Sequence, residues 1–216
     1  MTDRAAILGA IASASRASGI SPEEIANEAL ALVADPSRVQ PDFAEHSLLE
    51  RFVAKATSER VTATVEMVDR LSDVPNAVAG YLQSNAQSGP LAVQEHAELA
   101  SLDWSNMDRT PTLANDGGSA LTYAEYAIAE TGSVVFRSGP DSPILLNFLP
   151  LYHLVVLKAE LILGYPEELW PKMGGPETAQ TRLLTIVTGT SGTADIEAKN
   201  VRGAHGPRYM HILIVL

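Results

Sequence analysis

The 216-residue chain contains no cysteine. That excludes disulfides, a thiolate nucleophile, and any zinc site or iron–sulfur cluster held by the chain's own thiolates. It agrees with a cytoplasmic location. Basic residues are also scarce: 15 Lys and Arg stand against 26 Asp and Glu, for a net charge of −11. Both halves of the chain are acidic, and neither holds a basic cluster. Such a surface repels phosphate backbones and anionic lipid, so nucleic acid and acidic membrane are poor partners. Aromatic residues make up only 6%. Trp104 and Trp170 lie too far apart for a base-stacking platform. No apolar run approaches the ~20 residues needed to span a bilayer. Near the N-terminus, Asp3 and Arg16 interrupt what would otherwise look like a secretory leader, and an amphipathic helix is the better reading.

Several motifs are missing as well. There is no H-E-x-x-H or H-x-x-x-H pair, so no dedicated zinc site is expected. There is no Walker loop, no G-x-G-x-x-G and no G-x-S-x-G elbow. What remains is an ordinary globular composition, 46% hydrophobic, long enough to bury a core without staples.

Helical spacing of Ile7, Leu8 and Ile11 predicts a helix over 3–18. Ser21-Pro22-Glu23-Glu24 reads as the start of a second, with Ser at the N-cap, Pro at N1 and Glu at N3. A third is expected over 45–57. These form an N-terminal helical segment, residues 1–58, packed on an α/β domain of residues 59–216. The alternating β-branched run Val61–Val65 predicts a strand, 67–83 a helix with a break at Pro75, and Leu91–Val93 a short strand. Asp116-Gly117-Gly118 reads as a turn. Beyond it, a short helix is expected over 123–129, a strand over 133–136 and a short helix over 142–149. Then come a strand over 151–157, a helix over 165–173, a strand over 181–188 and a terminal strand over 209–216. Apolar strands alternating with helices predict a three-layer α/β fold with a mostly parallel sheet.

Three polar, glycine-punctuated stretches carry the candidate chemistry. In Ala129-Glu130-Thr131-Gly132-Ser133, Glu130 is a candidate base beside two hydroxyls and a glycine that allows close approach. The alternative is a turn closed by its own side chains. Thr188-Gly189-Thr190-Ser191-Gly192-Thr193-Ala194-Asp195-Ile196-Glu197 follows an apolar strand, where open α/β sheets bind ligands. Its amides and hydroxyls suit an anion. Asp195 and Glu197 share a face only if the backbone there is extended. The alternative is a hydroxyl-rich helix entry. In Gly203-Ala204-His205-Gly206-Pro207-Arg208, His205 suits proton transfer near neutral pH, and Arg208 offers a fork for a carboxylate or phosphate. The other histidines, at 46, 96, 153 and 211, are weaker candidates, with His153 read as a core or rim residue.

Five segments occur together and in order: Ala127–Ser133, Ser138-Gly139-Pro140, Leu149-Pro150, Thr193–Glu197 and His205-Gly206-Pro207. With the N-terminal helix, they resemble the lactate utilization protein C family, which carries the LUD domain. The resemblance covers roughly the last hundred residues in detail and the first half in outline. It implies a fold similar to the sugar-phosphate isomerase/CoA-transferase group. It also implies a role beside two partner proteins in bacterial oxidation of L-lactate to pyruvate. In that picture iron–sulfur clusters sit on the partners and this chain carries no cofactor. The chain departs from the family at Gly189-Thr190-Ser191-Gly192, where a proline is lost and a glycine gained.

The site expected from these readings has Glu130, Asp195, Glu197 and His205 as catalytic candidates. Thr131, Gly132, Gly139, Thr190, Ser191, Gly192, Thr193, Gly206 and Arg208 are the ligand-binding candidates, and no metal is expected. The ligand would be a small carboxylate or phosphate-bearing molecule. Rival readings are a self-sufficient transferase or ligase acting on a CoA ester, sugar phosphate or nucleotide, and a non-catalytic sensor or adaptor.

Overall fold

The computed structural model describes residues 4–14, 20–43, 45–113, 117–174, 178, 180–196 and 199–216, with backbone alone at 194–196, 199 and 200. The chain divides into two compact units, Met1–Asp42 and Phe43–Leu216.

The first unit holds helices α1 (Arg4–Ala14) and α2 (Pro22–Ala34) and a 3-10 turn, Pro36–Arg38. The start of α2 follows from its sequence. Ser21 Oγ accepts from the Glu24 amide at 3.1 Å, and the Glu24 carboxylate accepts from the Ser21 amide at 2.7 Å. Pro22 occupies the first turn, where its missing N–H costs nothing.

The second unit opens with α3 (Leu48–Ala56), capped by the same Ser–Glu exchange between Ser47 and Glu50. There follow β1 (Thr64–Val68), α4 (Val74–Ser84), β2 (Leu91–Val93), α5 (Ala97–Ala100), β3 (Arg109–Thr110), β4 (Ser119–Tyr123), β5 (Tyr126–Ile128) and β6 (Ser133–Arg137). Then come β7 (Tyr152–Lys158), β8 (Ile162–Leu163), α6 (Leu169–Met173), β9 (Leu184–Val187), β10 (Gly192–Ile196), β11 (Lys199–Arg202) and β12 (Tyr209–Val215).

Six strands form one sheet in the order β1-β12-β7-β4-β2-β3, and every pair in it is parallel. The two central strands explain the long apolar runs in the sequence. On β7, Leu154 and Val156 face one core, and Val155 and Leu157 face another. On β12, Leu213 and Val215 face the first core, and Ile212 and Ile214 the second. Side chains alternate across a strand, so a strand buried on both faces must be apolar throughout. The first core is closed by Val74, Val78 and Leu82 of α4, with Leu99 and Trp104. The second is closed by Phe52 and Ala56 of α3 and by Ala127, Val134 and Phe136. The result is the expected three-layer α/β arrangement around a parallel sheet.

The covering of the second face differs from expectation. Residues 123–129 are not a helix: the end of β4, a jog at Ala124-Glu125, and β5 replace it. With β6, β8 and β9, β5 builds a second sheet in the order β8-β5-β6-β9, in which β5–β6 and β6–β9 run antiparallel. The run Ala120–Ala129 is almost unbroken apolar sequence, and a strand buried on both sides leaves no alternation to mark it.

Smaller corrections have local causes. Of the helix expected over 67–83, the first residues belong to β1 and the helix starts at Val74, so Pro75 begins it rather than breaking it. The helix expected over 142–149 is a 3-10 turn, Ile144–Asn147. Residues 165–173 divide into a 3-10 turn, Pro166–Glu168, and α6. The strand expected over 181–188 shortens to β9. Of the turn 116–118, Asp116 lies outside the described residues, as do residues 3 and 15–18 of the first helix. Among the described residues, no helix is long and apolar enough to cross a membrane.

Candidate functional site

The first residues of β12, β7 and β4 stand in register, Tyr209 beside Tyr152 and Tyr152 beside Ser119. They define the amino edge of the parallel sheet. Two of the three polar stretches meet there. The chain leaving β9 crosses to this edge, where the Thr190 amide donates to Val61 O (3.1 Å) and the Ser191 amide to Pro207 O (2.8 Å). Gly203 N donates to Ser191 O at 3.0 Å, which ties the loop to the start of the His205 turn. This corrects the sheet-edge reading of the second stretch. β9 belongs to the second sheet, so the loop after it does not lie beyond a carboxyl end of the parallel strands. Nor is the loop a helix entry. It leads into β10, which pairs with β11 through Gly192 opposite Arg202 and Thr193 opposite Val201.

A cavity of about 340 Å³ opens at this edge, lined by Thr62, Thr64, Tyr81, Thr190, Arg202, Arg208, Tyr209 and Met210. Among the described residues its lining holds two guanidinium groups and no carboxylate, although the chain as a whole is strongly acidic. Arg202 donates from one terminal nitrogen to Thr190 Oγ1 and from the other to Glu59 O, both at 3.3 Å. These bonds hold its guanidinium in the cavity lining. The Arg208 guanidinium stands 5.7 Å from the Tyr209 ring centroid, and Tyr209 stacks on Tyr152. Thr62 Oγ1 and Thr190 Oγ1 are 2.6 Å apart. Forked cations beside hydroxyls suit a small carboxylate or phosphate.

One wall of this cavity holds a second feature. Thr64 Oγ1 lies 2.8 Å from His211 Nδ1, and His211 Nε2 lies 3.3 Å from a Glu66 carboxylate oxygen. Tyr81 stacks on the imidazole with ring centroids 3.9 Å apart. Burial lowers the His211 pKa, opposed by the hydrogen bond and charge of Glu66. Burial also raises the Tyr81 pKa.

His205 and Gly206 line an adjoining cavity of about 620 Å³ with Gly117, Leu149, Pro150 and Leu151. His205 is exposed. Gly206 abuts Ser191: a Cβ there would stand 3.1 Å from Ser191 Cβ. Glu130 lies elsewhere, in a cavity of about 250 Å³ with Arg51, His46, Glu50 and Lys55. The structure thus brings Thr190, Ser191, Gly206 and Arg208 together, with His205 in the adjoining cavity, and places Glu130 in a separate one. Thr131 Oγ1 is held by Ser133 Oγ, which also meets Thr188 Oγ1, each contact at 2.7 Å. Gly132 adopts a φ of +69° and packs on the α3 backbone, where a Cβ would come within 2.7 Å of the Ala56 nitrogen. Gly139 bridges Ser142 in a tight turn. Asp195 lies in the extended β10 backbone, its side chain outside what is described, and Glu197 lies outside the described residues.

Thr62, Thr64, Tyr81, Arg202 and Glu66 were not among the expected site residues, and His211 stood only among the weaker histidine candidates. Arg202 sits one residue before a singled-out stretch. The pairing of Thr64 with His211 depends on strand register across 147 residues and leaves no local signal. A polar cluster at the carboxyl edge was missed as well. Lys158 meets Glu98 at 2.7 Å, the Tyr123 hydroxyl donates to Glu98 at 3.2 Å, and His96 stacks on Tyr123.

Comparison with known proteins places these stretches. Residues 113–215 match the LUD domain. The chain is 27% identical over 176 residues to an uncharacterized protein, YkgG, of Escherichia coli, covering 80% of this chain and 76% of that one. It is 24% identical over 188 residues to lactate utilization protein C of Halalkalibacterium halodurans, covering 78% and 82%. With lactate utilization protein C of Deinococcus radiodurans it shares 31% identity over 98 residues, 45% of this chain and 46% of that one. The crystal structure of a DUF162 family protein from Deinococcus radiodurans superposes with a TM-score of 0.51 at 21% identity, covering 78% of this chain and 96% of that one. This last likeness concerns the fold.

Proposed function

We propose that the protein, whose residues 113–215 match the LUD domain, serves lactate utilization by binding a small carboxylate at the amino edge of its parallel sheet. The observation that carries the reading is the cavity in which Arg202 and Arg208 stand beside Thr190, Thr62 and Thr64, with no carboxylate among the described lining residues. The relatives named lactate utilization protein C supply the biological setting. In this reading the chain is the cluster-free subunit of a lactate-oxidising system, and electrons leave through iron–sulfur partner proteins. Its contribution is to hold the carboxylate of lactate or pyruvate in a forked, hydroxyl-rimmed pocket. His205, in the neighbouring cavity, and Glu130, farther off, are left for partner contact or for a second step.

Titration calorimetry with L-lactate and pyruvate tests the site. Both should bind the wild-type protein, and Arg208→Ala together with Arg202→Ala should weaken both by about a hundredfold, two charge-assisted contacts being lost. Unchanged affinity in the double variant removes the assignment. Lactate-dependent dye reduction by the protein reconstituted with its iron–sulfur partners tests the role. If leaving this chain out changes neither rate nor assembly, the subunit reading is lost.

A further inference from the structure

The arginine cavity contains more than an anion clamp. Thr64 lines it, and behind Thr64 stand His211 and Glu66 in a continuous hydrogen-bonded line. We propose that Thr64, His211 and Glu66 form a proton relay that receives the hydroxyl proton of a small 2-hydroxycarboxylate held by the two arginines. The proposal rests on the carboxylate reading of the cavity and adds the ligand's second functional group.

The arrangement fixes the imidazole's tautomer. Glu66 presents an acceptor to Nε2, so the neutral ring carries its proton on Nε2. Nδ1 is then a bare acceptor facing Thr64 Oγ1 at 2.8 Å, closer than the Met210 carbonyl oxygen, which the same hydroxyl meets at 3.3 Å. The ring cannot turn freely, because Tyr81 stacks on one of its faces at 3.9 Å. His211 is buried, with 5% of its surface exposed, whereas Thr64 is exposed to the cavity. The hydroxyl is thus the point at which a ligand touches the line. A hydroxyl, a base and a carboxylate that orients the base are the parts general-base chemistry requires.

The step balances without an oxidant. The ligand's O–H bond breaks and its proton passes to Thr64 Oγ1 as the Thr64 proton passes to His211 Nδ1. The product is an imidazolium paired with Glu66, and a ligand alkoxide facing the arginines. No electrons change hands in this step. Thr64 is the group that touches ligand, and His211 and Glu66 are positioning residues acting through it. The groups facing the imidazole are Thr64 and Glu66 from β1 and Tyr81 from α4.

The test compares L-lactate with propionate, which keeps the carboxylate and lacks the hydroxyl. Calorimetry on the full-length protein should show lactate binding about tenfold tighter than propionate in wild type and in Thr64→Ser. In Thr64→Val the two should bind equally, at the wild-type propionate affinity. Nitrogen-15 NMR of labelled histidine should show His211 protonated on Nε2 in the free protein. Glu66→Gln should release that preference and abolish the lactate advantage. A His211 protonated on Nδ1, or a Thr64→Val variant that still prefers lactate or loses both ligands equally, overturns the relay while leaving the carboxylate site standing. If neither acid binds wild type, the carboxylate reading itself fails, and the relay falls with it.

Discussion

Thr62 Oγ1 lies 2.6 Å from Thr190 Oγ1, closing a contact between residues 128 apart in sequence. The pair joins the segment before β1 to the loop after β9, and so joins the two main layers at the cavity mouth. Thr62 holds this place with a φ of +62°. A β-branched residue is seldom found there, because its Cβ crowds the following carbonyl at a cost of about 1–2 kcal/mol. Asn tolerates that conformation better. Loss of the Thr190 hydrogen bond, about 1 kcal/mol, offsets that relief, so Thr62→Asn should leave the melting temperature within about 2 °C of wild type. It should also weaken carboxylate binding, because the hydroxyl that braces Thr190 is gone. Calorimetric melting and ligand titration check the two halves, and a variant that both loses stability and keeps its affinity contradicts the argument.

Gly189 precedes that contact with a φ of +75°, and a Cβ there would stand 1.8 Å from the Val61 carbonyl oxygen. Backbone cannot yield as a side-chain tip can. Gly189→Ala should cost about 3 kcal/mol or more, through both the clash and the positive φ. Urea unfolding measures it. The control is Gly80→Ala, where nothing lies within 4 Å of the added carbon. That site is inside α4, so alanine there should stabilise by ~0.5–1 kcal/mol.

At the opposite edge of the sheet, burial and then the charge of Glu98 push the Tyr123 hydroxyl up to about 12. Lys158, paired with the same carboxylate, offsets part of that charge. Comparing phenolate absorbance of wild type and Tyr123→Phe should show that Tyr123 ionises well above the usual value near ~10, alongside Tyr81 and Tyr152, whose pKa values burial also raises. Glu98→Gln removes the negative charge and keeps the burial. Tyr123 should then ionise at lower pH than in wild type, though still above ~10. An unchanged titration curve would mean that Glu98 does not face Tyr123.

The parts of this fold that the sequence made legible are those with a local cause. Ser21, followed by Glu24, started α2 as a capping box requires; Ser47 and Glu50 start α3 in the same way, two or three residues later than the expected 45. The apolar runs of β7 and β12 announced strands buried on both faces. What stayed hidden had a distant cause. The run Ala120–Ala129 reads as apolar under either period, and only its partners β6 and β8 make β5 a strand. The glycines and hydroxyls of Gly189-Thr190-Ser191 pointed to a ligand loop, but not to the amino edge of the sheet. That placement depends on β9 belonging to a second sheet. Arg208 and Thr190 were singled out from their loops. Thr64, Glu66 and His211 were not, because only the parallel register of β1 with β12 sets Thr64 beside His211.

His153 gives the acid limb of the stability curve. It is buried at 1% exposure, and its Nε2 lies 2.8 Å from Thr122 Oγ1. Its Nδ1 has no hydrogen-bond partner among the described residues. Burial lowers its pKa from 6.5 to about 3. Above 6.5 the imidazole is neutral folded or unfolded, and its titration adds no pH dependence. Between 6.5 and about 3 the unfolded chain takes up a proton that the folded chain refuses. Folding stability therefore falls as the pH falls, by about 1.4 kcal/mol per unit. From pH 6.5 to 4.5 this amounts to roughly 2–3 kcal/mol. Replacing His153 alone would strand the Thr122 hydroxyl, so the informative variant is Thr122→Val with His153→Leu. Urea unfolding across that range should show the double variant losing less stability than wild type by that amount. His211, whose pKa is also lowered, remains to tilt both curves alike. Parallel curves for the two proteins would place the acid sensitivity elsewhere.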